Sequence, residues 1–578
     1  MRALSRAALA AVLVVAFAAS PAAADPSAGP SGDLSGGLSS DPAAPCDTPV
    51  THRVAQVQGA GDATPLAGRT VRVEGVVTAD FQRSDQLSGF FLQDPRPDSD
   101  PLTSEGLFAY ARDTFKDVNV GDRVLVTGRA VEYNGWTELS PVTAVDVCGT
   151  GSVAAQPYRL PSDGLEPVEN MLLTFPQPLT VSDHYNLGRY GEVTLSSQGR
   201  LFQPTDRPGV DAARNARRSL LVDDGSNREN PAVLPPIVRG GDVARGVTGV
   251  LGYGFGKYRL QPTEPIDYKD ANPRPPRPFP VIGNVKVASF NTLNWFTTLG
   301  SRGAGNAEEQ RRQLAKLVAA LKGIDADAVA LMEVENNGQT ALQALVDAVN
   351  AEVGAGTYAA LAHPYPGTDA IQVGLIYKPA RLTPVGAPAA SEDPVFSRPP
   401  LIQTFRRAGG GQPFTLLVNH LKSKGSCPSG GPDADQGDGQ SCWNPTRVAQ
   451  AKALLGLIEE RDLPGPIVLG DLNAYGEEDP IGTLEAGGLT SVTKRFVPAH
   501  LRYSYLFDGL AGELDHAMVG RQLLKRVTSA TIWHINADEP RVRDYNLEYN
   551  PPGLYRPDAY RSSDHDPLVI GLTLPGGR

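Results

Sequence analysis

The stretch Pro466-Ile-Val-Leu-Gly-Asp-Leu-Asn473 decides how the second half of the chain folds. Its apolar run has the length of a buried β-strand, and polar residues follow where that strand should end. Side chains two positions apart on an extended chain point the same way, so Asp471 and Asn473 should face one point. The pattern predicts a buried strand that delivers polar groups to the edge of a sheet.

Further polar clusters border other apolar runs in the same half of the chain. They are Ser289-Phe-Asn291, Met332-Glu333, Asn419-His420, Leu514-Asp515-His516 and Ser563-Asp564-His565-Asp566. Helical patterns separate the runs: Asn306 has the position of an N-cap, and Leu314, Leu317, Val318 and Leu321 follow with helical spacing. Strands that alternate with helices predict an α+β domain over residues 281–578, in which the strand ends converge on one cleft.

The first half of the chain has a different pattern. Residues 46–148 are short β-like runs between Gly-containing turns, such as Thr70-Val-Arg-Val-Glu-Gly-Val-Val, and predict a small all-β barrel or sandwich. Residues 149–270 continue in this style as a second β region. The Pro-rich segment 271–280 predicts an extended, semi-rigid linker to the α+β domain.

The N-terminus has the pattern of a secretory signal peptide. Two arginines precede the apolar run Ala7–Ala18, and Ala22-Ala-Ala24 is a small-residue cleavage site. We therefore expect residues 1–24 to be removed, residues 25–45 to be a flexible leader and the protein to be secreted. The alternative is a retained N-terminal anchor. No later segment approaches ~20 apolar residues, so no stable membrane association is expected, and no protein partner is evident.

Charge and cysteine content narrow the possibilities. The 578 residues carry a formal net charge of −11, which argues against a high-affinity general binder of polyanions but allows a local cationic cleft. The four cysteines allow three disulfide pairings. Because Cys46 and Cys148 bracket the first β block, and Cys427 and Cys442 bracket a Gly/Asp-rich loop, we predict these two pairs. Their spacing does not match a zinc site.

The polar clusters together include what metal-assisted attack of water on a phosphodiester requires. Carboxylates bind a divalent cation and one of them takes a proton from water, while His and Asn side chains stabilise charge on phosphorus. Mg²⁺ or Mn²⁺ is the expected cation. Asp433, Asp435 and Asp438 lie inside the Cys427–Cys442 loop and are a candidate structural Ca²⁺ site, although no EF-hand pattern is present.

Residues 281–576 resemble the endonuclease/exonuclease/phosphatase superfamily, which implies a DNase I-like four-layer α/β/β/α sandwich. The Gly-Asp-Leu-Asn and Ser-Asp-His motifs carry this resemblance together. The first half is similar to the OB-like region of large secreted bacterial nucleases of the superfamily. The similar phrases are Gly89-Phe-Phe-Leu-Gln-Asp-Pro, Tyr185-Asn-Leu-Gly-Arg-Tyr-Gly191, Asn419-His-Leu-Lys-Ser-Lys-Gly425 and Ser441-Cys-Trp-Asn444.

The resemblance implies roles in activating water and contacting phosphate. Asp471 matches the general base, and Asn473 matches its positioning partner. Asp564 and His565 imply a metal-linked carboxylate beside an imidazole on the scissile phosphate. Asp515 matches the Asp that holds this His in orientation. The plain alternative for Asp471 and Asn473 is an Asp–Asn turn.

Other matches concern the metal and the leaving group. Glu333 matches the principal metal ligand, and Asn291 matches a ligand or phosphate contact. The alternatives are a strand-end carboxylate and a turn residue. His420 matches a second active-site His that helps protonate the leaving oxygen. Asp369 is a candidate orienter of His420 or, alternatively, a plain loop acid.

The expected substrate is nucleic acid. Lys422 and Lys424 follow His420 and are candidate phosphate contacts or, alternatively, part of a solvated loop. OB-like barrels often hold nucleic acid, so the N-terminal β modules are expected to do so here. Candidate stacking groups, which are alternatively core aromatics, are Phe90, Phe91, Tyr110, Tyr133 and Trp136.

We therefore predict a secreted, divalent-metal-dependent nuclease that cleaves DNA or, alternatively, RNA, and leaves a 5′-phosphate and a 3′-hydroxyl. One alternative is a secreted phosphodiesterase of the same fold that acts on phospholipid head groups or small phosphate esters. The other is a non-catalytic binding module that has kept the fold. The catalytic residues do not separate the two enzymes, because they contact the phosphodiester and not the group attached to it.

Overall fold

The computed structural model describes residues 45–231, 233–363 and 365–576. The predicted signal peptide, and the predicted leader up to residue 44, lie outside the described residues. Residues up to Thr48 and residues from Pro49 onward belong to two compact units, and the described part of the first is the 3-10 helix Pro45–Asp47. Among the described helices, none combines the length and hydrophobicity needed to cross a bilayer.

Five strands between residues 70 and 150 close into a barrel. They are β1 Thr70–Phe81, β2 Gly89–Gln93, β3 Gly106–Ala109, β4 Asp122–Tyr133 and β5 Trp136–Thr150. The order around the barrel is β1-β2-β3-β5-β4, with β4 pairing back to β1 and with β3 parallel to β5. Alternate apolar residues fill the interior, and helix α1 (Val54–Gln58) adds Val54 and Val57 to it.

The aromatic side chains of the barrel are mostly core residues. Phe90 and Phe91 are fully buried, so neither can stack on a base. Trp136 stacks on Phe108, with ring centroids 4.3 Å apart. Tyr110 and Tyr133 are exposed. The core interpretation is therefore correct for the two phenylalanines.

A nine-stranded sheet follows the barrel. Its strands are β6 Gln156–Pro157, β7 Leu172–Phe175, β8 Leu179–Asp183, β9 Val193–Ser196, β10 Ser219–Val222, β11 Val243–Arg245, β12 Val247–Gly254, β13 Lys257–Pro262 and β14 Asp267–Lys269. Their order is β14-β11-β8-β9-β10-β13-β12-β7-β6. Helices α2 Leu187–Tyr190 and α3 Ala212–Arg218, and the 3-10 helix Glu166–Val168, lie in its connections.

Polar contacts at Glu169 and Asn170 join this sheet to the barrel. Trp136 Nε1 donates to Asn170 Oδ1 (2.7 Å), and Asn170 Nδ2 donates to the Thr137 carbonyl (3.1 Å). Glu169 is only 1% exposed, and its Oε1 has no hydrogen-bond partner among the described residues. Burial, reinforced by the neighbouring Glu166 carboxylate, raises the pKa of Glu169 to about 9.

Residues from 285 onward form two further sheets. Their strands, with one separate hairpin, are β15 Val285–Trp295, β16 Ala328–Glu335, β17 Ala359–Ala360, β18 Ile371–Tyr377, β19 Leu382–Ala390, β20 Leu401–Arg407, β21 Phe414–His420, β22 Pro466–Asp471, β23 Leu489–Ser491, β24 Tyr505–Phe507, β25 Leu510–Gly512, β26 Asp515–Gly520, β27 Val527–Ile532 and β28 Leu568–Leu572. The sheet orders are β17-β18-β16-β15-β28-β27 and β19-β20-β21-β22-β26-β23, and β24 pairs with β25.

Helices α4 Ala307–Ile324 and α5 Thr340–Val353 cover the outer face of one sheet, and α6 Asn444–Glu460 and α7 Asp479–Ala486 cover that of the other. The short helices α8 Val492–Phe496 and α9 Arg521–Leu524 pack against the core between the sheets. Two 3-10 helices, Ala499–Leu501 and Arg541–Arg543, lie in the connections. One core lies between the sheets, a second under α4 and α5, and a third under α6 and α7. Asn306 caps α4 through Glu309 N, as the sequence predicts. The result is four layers in the order α/β/β/α.

Replacing Glu169 by Gln should stabilise the protein at neutral and alkaline pH. The folded state holds a proton on Glu169 up to about pH 9, whereas the unfolded chain releases it near its ordinary pKa. The contribution of Glu169 to stability is therefore lost as pH rises through that window.

We expect Glu169→Gln to raise the free energy of unfolding by about 1–3 kcal/mol at pH 8 and by much less at pH 4.5. Denaturant unfolding at both pH values measures the difference, with the exposed Glu229→Gln as control. A gain that is equal at the two pH values would contradict a buried, protonated Glu169.

Candidate active site

Irregular strand ends bring Asn291 and Glu333 together. β15 and β16 pair in parallel as far as Asn291↔Met332, and then the register shifts. Glu333 has φ 61°, a left-handed conformation that costs a non-glycine residue about 1–3 kcal/mol and is common at functional sites. Its Oε1 accepts from Asn291 Nδ2 (3.1 Å) and its Oε2 from the Asn294 N–H (3.0 Å). The carboxylate is therefore held in one orientation.

Strand β22 places Asp471 beside His420. β21 and β22 are parallel and pair Asn419 with Gly470 and His420 with Asp471. Gly470 has φ 135°, and a Cβ there would lie 2.0 Å from the Asn419 carbonyl oxygen, so the position requires glycine. Asp471 Oδ1 accepts from the Asn473 N–H (2.9 Å), which leaves Oδ2 directed at the imidazoles.

Asp515 and His565 form a close carboxylate–imidazole pair. His565 Nδ1 lies 2.7 Å from Asp515 Oδ2, and Ser504 Oγ donates to the same oxygen (2.7 Å). This pairing places the proton on Nδ1 and turns Nε2 toward Asp471 Oδ2, 3.8 Å away. His420 Nε2 lies 3.5 Å from that same oxygen. One carboxylate oxygen thus faces two imidazoles.

The two imidazoles differ in charge. Burial lowers the pKa of His420 well below its usual range, and the cationic groups of Arg398 and His565 act in the same direction. Burial also acts to lower the pKa of His565, but the carboxylates of Asp515 and Asp471 outweigh it and hold this pKa well above its usual range. His420 is therefore neutral and His565 cationic at neutral pH.

The cleft contains too few cationic groups to offset the burial of its carboxylates. Burial, followed by the charge of Asp564, raises the pKa of Glu333 to about 7. Burial raises the pKa of Asp471 to about 6, and the Asp515 carboxylate adds to the effect. Both shifts are in the direction that a bound cation would reverse.

The donor set fits a hard divalent cation with few protein ligands. Within the described ranges, no group of three or more His, Cys, Asp or Glu side chains is arranged as a complete metal centre. Mg²⁺ commonly takes one or two carboxylates and completes its shell with water and substrate phosphate. Glu333 and Asp564, whose negative charges repel each other, are the candidate pair for such a site.

Comparisons with known proteins agree with this geometry. Residues 289–565 match the family model described as the Endonuclease/Exonuclease/phosphatase family. The C-terminal half of the chain carries a hydrolase domain of this superfamily, with a DNase I-like fold. Residues 141–270 match a Domain of unknown function (DUF8508). No curated protein matches the chain.

Many solved structures are similar to part of the chain. One is the human Nocturnin catalytic domain with bound sulfate anion (19% identity, 52% of this chain, 100% of that chain, TM-score 0.36). Another is humanized D. rerio TDP2 (17%, 50%, 97%, TM-score 0.34). A third is the Bacteroides thetaiotaomicron mannosyl-6-phosphatase (16%, 50%, 99%, TM-score 0.35).

The assignment of Asn291 as a metal ligand or phosphate contact stays a prediction. Its Oδ1 accepts from the Leu293 N–H (3.0 Å), and its amide nitrogen donates to Glu333. Two other sequence expectations for the endonuclease/exonuclease/phosphatase domain need correction. Lys424 was expected to contact phosphate, but it is held by Glu478 (2.6 Å) and by the Gln440 carbonyl.

The second correction concerns Asp369. Its carboxylate pairs with Arg398 (3.1 Å) and Arg302 (3.2 Å), and it makes no hydrogen bond to His420. His420 Nδ1 has no partner anywhere in the described part of the chain. Arg398 Nε instead donates to the His420 carbonyl (3.0 Å). Asp369 therefore acts on the backbone of His420 through Arg398.

The Gly/Asp-rich loop also differs from expectation. Cys427 and Cys442, the predicted pair, form a disulfide, and Cys46 and Cys148 are likewise disulfide-bonded. The carboxylates proposed for Ca²⁺ do not converge. Asp433 binds Thr446, Asp435 binds the Gly437 N–H and Asp438 binds Gln440. Lys422 lies over the Trp443 ring, 4.4 Å from its centroid.

Asn536 and Asp566 hold the backbone at His565, and motif reasoning missed the first of them. Asn536 Nδ2 donates to the His565 carbonyl (2.6 Å). Asp566 Oδ1 accepts from the N–H groups of Ile535 (2.9 Å) and Asn536 (2.7 Å), and its Oδ2 lies 2.9 Å from His534 Nδ1. The Ser-Asp-His-Asp motif contains Asp566, but no sequence signal marks its partners.

Buried ion pairs join the nine-stranded sheet region to the segment that follows Asn536. Arg239 Nε pairs with Glu539 Oε1 (2.9 Å), and Arg200 pairs with Asp538 Oδ1 (2.8 Å). Both carboxylates are fully buried. Asp538 and Glu539 lie two and three residues after Asn536 in the chain. Arginines of the first half of the protein therefore hold the segment that bonds to the His565 backbone.

A second attachment reaches Asp515. Gln203 N donates to the Ala511 carbonyl (2.9 Å), and Ala511 N donates to Leu201 (3.0 Å). Asp206 Oδ1 accepts from the Glu513 N–H (2.8 Å). The segment around residue 203 therefore lies beside the chain that enters Asp515.

The Pro-rich connector is bonded to the same region. Asn272 Nδ2 donates to Asp538 Oδ2 (2.7 Å), and Arg274 pairs with Glu539 (2.7 Å). Trp533 Nε1 donates to the Pro275 carbonyl (2.9 Å). This segment is therefore bonded to residues 533–539 of the α/β/β/α domain.

Asp471→Asn should abolish most hydrolysis while the fold persists. Loss of a general base lowers the rate by ~10²–10⁴-fold. We expect this loss in kcat on a chromogenic phosphodiester that the parent protein hydrolyses, with the unfolding midpoint nearly unchanged. The control is Asp508→Asn, an exposed carboxylate. Turnover within threefold of the parent would contradict the role of Asp471.

Arg239→Met should destabilise the whole protein. It leaves Glu539 and Asp538 short of positive charge in a buried site, and breaking such a pair costs about 3–5 kcal/mol. The matched control is Arg228→Met, which breaks a solvent-exposed pair with Asp85 and should cost about 0–1 kcal/mol. Denaturant unfolding measures both. Equal effects would show that the network adds nothing.

Proposed function

We propose that the protein is a secreted, divalent-metal-dependent nuclease that hydrolyses phosphodiester bonds of extracellular nucleic acid, with DNA as the main substrate and RNA as the second. The observation that carries the proposal is the placement of Asp471 Oδ2 between a neutral and a cationic imidazole. The Glu333 and Asp564 carboxylates interact electrostatically within the same cleft. This combination suits attack of water on a charged phosphate.

Each residue of the cleft has a defined task in this proposal. Asp471 takes the proton from the attacking water, and the Asn473 N–H fixes its carboxylate. Cationic His565, oriented by Asp515, stabilises negative charge on the phosphate oxygens. Neutral His420 faces the leaving oxygen.

Glu333 and Asp564 would hold a Mg²⁺ or Mn²⁺ ion, which supplies charge neutralisation and polarisation of the phosphate when bound. Asn291 holds the metal-binding and water-activating carboxylates together, because its Nδ2 lies 3.1 Å from Glu333 Oε1 and 3.3 Å from Asp471 Oδ2. The products are a 5′-phosphate and a 3′-hydroxyl.

Secretion is part of the proposal. The N-terminal sequence has the pattern of a signal peptide, and the protein contains disulfides, which persist in oxidising compartments. We also propose that residues 46–148 are an OB-like module. Support comes from the five-stranded barrel with order β1-β2-β3-β5-β4. Residues 149–270 and 281–578 are then the second β region and the catalytic domain.

An activity panel tests the function. Purified protein is incubated with linear and circular DNA, RNA, a choline phospholipid and small phosphate esters, each with Mg²⁺, Mn²⁺, Ca²⁺ or chelator. We expect metal-dependent release of nucleotides and no release of choline phosphate. Release from lipid or from small esters alone would favour the alternative phosphodiesterase and overturn the nuclease proposal.

Glu333→Gln should raise the Mg²⁺ concentration required for half-maximal activity by at least about tenfold, because one anionic ligand is removed. High Mg²⁺ should restore part of the activity. Titration of activity against Mg²⁺ measures the shift, and Glu352→Gln, at an exposed helix position, is the control. An unchanged titration curve would assign Glu333 a purely structural role.

A further inference from the structure

A hairpin links the catalytic imidazole to the protein surface. The Tyr505 ring packs on His565 with centroids 4.6 Å apart. Phe507 is two residues further along β24 and therefore lies on the same face of the strand. It is 62% exposed. Leu506 faces the opposite way and packs with Tyr503 and Ala511.

The tip of this hairpin is a tight turn that contacts the second β region. Asp508 and Gly509 connect β24 to β25 with φ values of 47° and 74°, as in a tight two-residue turn. Gly509 lies against Asp183, and Asp508 pairs with Lys257 (3.6 Å). The second β region therefore contacts the turn that follows Phe507.

The segment Tyr185-Asn-Leu-Gly-Arg-Tyr-Gly191 begins two residues after Asp183, in the part of the second β region that contacts the hairpin. It stands out in the sequence but has no part in the catalytic cleft. Gly188 packs so closely on Val542 that a Cβ there would lie 1.9 Å from a methyl group. Tyr185 is 59% exposed, and Arg541 donates to its hydroxyl (3.1 Å) with the guanidinium 5.6 Å from the ring centroid.

A second arginine, Arg189, also lies beside aromatic rings. Arg189 lies between the rings of Tyr190 (5.1 Å) and Tyr549 (5.7 Å). Tyr549 is 55% exposed. Three exposed aromatic rings are thus accompanied by two half-exposed arginines. Arg189 pairs with Glu229 (2.9 Å), and Arg541 lies 3.9 Å from Asp544.

We propose that Tyr185, Arg189, Phe507, Arg541 and Tyr549, termed here the aromatic–arginine surface, bind single-stranded nucleic acid on its way into the active site. The inference rests on the proposed nuclease function and specifies the form of its substrate. Exposed rings offer stacking platforms to unpaired bases, and arginines pair with phosphates. In a duplex the base faces are already stacked, so the surface favours a single strand.

The position of the surface supports this assignment. Phe507 lies two residues along β24 from Tyr505, whose ring packs on His565, so a base stacked on Phe507 would be bound near the cleft. The protein is acidic overall, so it has little general electrostatic attraction for nucleic acid. Base stacking and the two arginines must therefore provide the affinity. The second β region contributes two of the five residues and would therefore share in substrate binding.

The test uses the full-length mature protein with Tyr185→Ser, Phe507→Ser, Tyr549→Ser and the triple variant. Substrates are a labelled single-stranded DNA of thirty nucleotides, its duplex and a chromogenic phosphodiester. Each single change should raise KM for the single strand about tenfold, and the triple change by more. On the chromogenic diester kcat/KM should stay within twofold. Phe279→Ser, which removes a ring of similar exposure (65%) in the Pro-rich connector, is the matched control.

The outcomes separate this inference from the function on which it rests. If the parent cleaves no nucleic acid, the nuclease proposal fails and the inference fails with it. If the parent cleaves DNA and the triple variant keeps its KM, the surface is overturned and the nuclease stands. An equal loss on duplex and single strand overturns the single-strand assignment. Phe507→Trp should keep the parent KM, and loss of activity there on every substrate would show a structural role instead.

Discussion

The concentration of buried charge around Asp471 is the constraint on which the rest of the structure depends. A carboxylate removed from water needs partners that replace its lost hydration. Asp471 accepts a hydrogen bond from the Asn473 N–H. Glu333 accepts hydrogen bonds from the Asn291 side chain and the Asn294 N–H, and Asp515 accepts one from Ser504. The register shift that follows Asn291 and the left-handed conformation of Glu333 place side chains for these contacts.

The same constraint explains how two histidines in one cleft differ in protonation. His565 is paired with Asp515, whereas the charge of Arg398 acts on His420. Each neighbour is itself fixed from outside the cleft, Asp515 by Ser504 and Arg398 by Asp369. The charges of the two imidazoles are therefore set in part by Ser504 and Asp369, which act through Asp515 and Arg398.

Sequence reasoning reached the parts of this arrangement that depend on local pattern. The run ending at Asp471 and the helix capped by Asn306 follow from apolar spacing and capping chemistry, which act over a few residues. The orientation of Asn291, the burial of Lys424 against Glu478 and the pairing of Asp369 with Arg398 could not be predicted in this way. They depend on which strands become neighbours, and strand order is not encoded in the residues that it brings together.

The attached Pro-rich connector has a consequence for how such a protein can change over evolutionary time. Asn272 and Arg274 share the carboxylates of Asp538 and Glu539 with arginines from the nine-stranded sheet. Recombination at this segment would separate charges from their partners on both sides of the join. A boundary that looks like a natural point of exchange in the sequence is therefore a poor one in the folded protein, and the two halves have to diverge together.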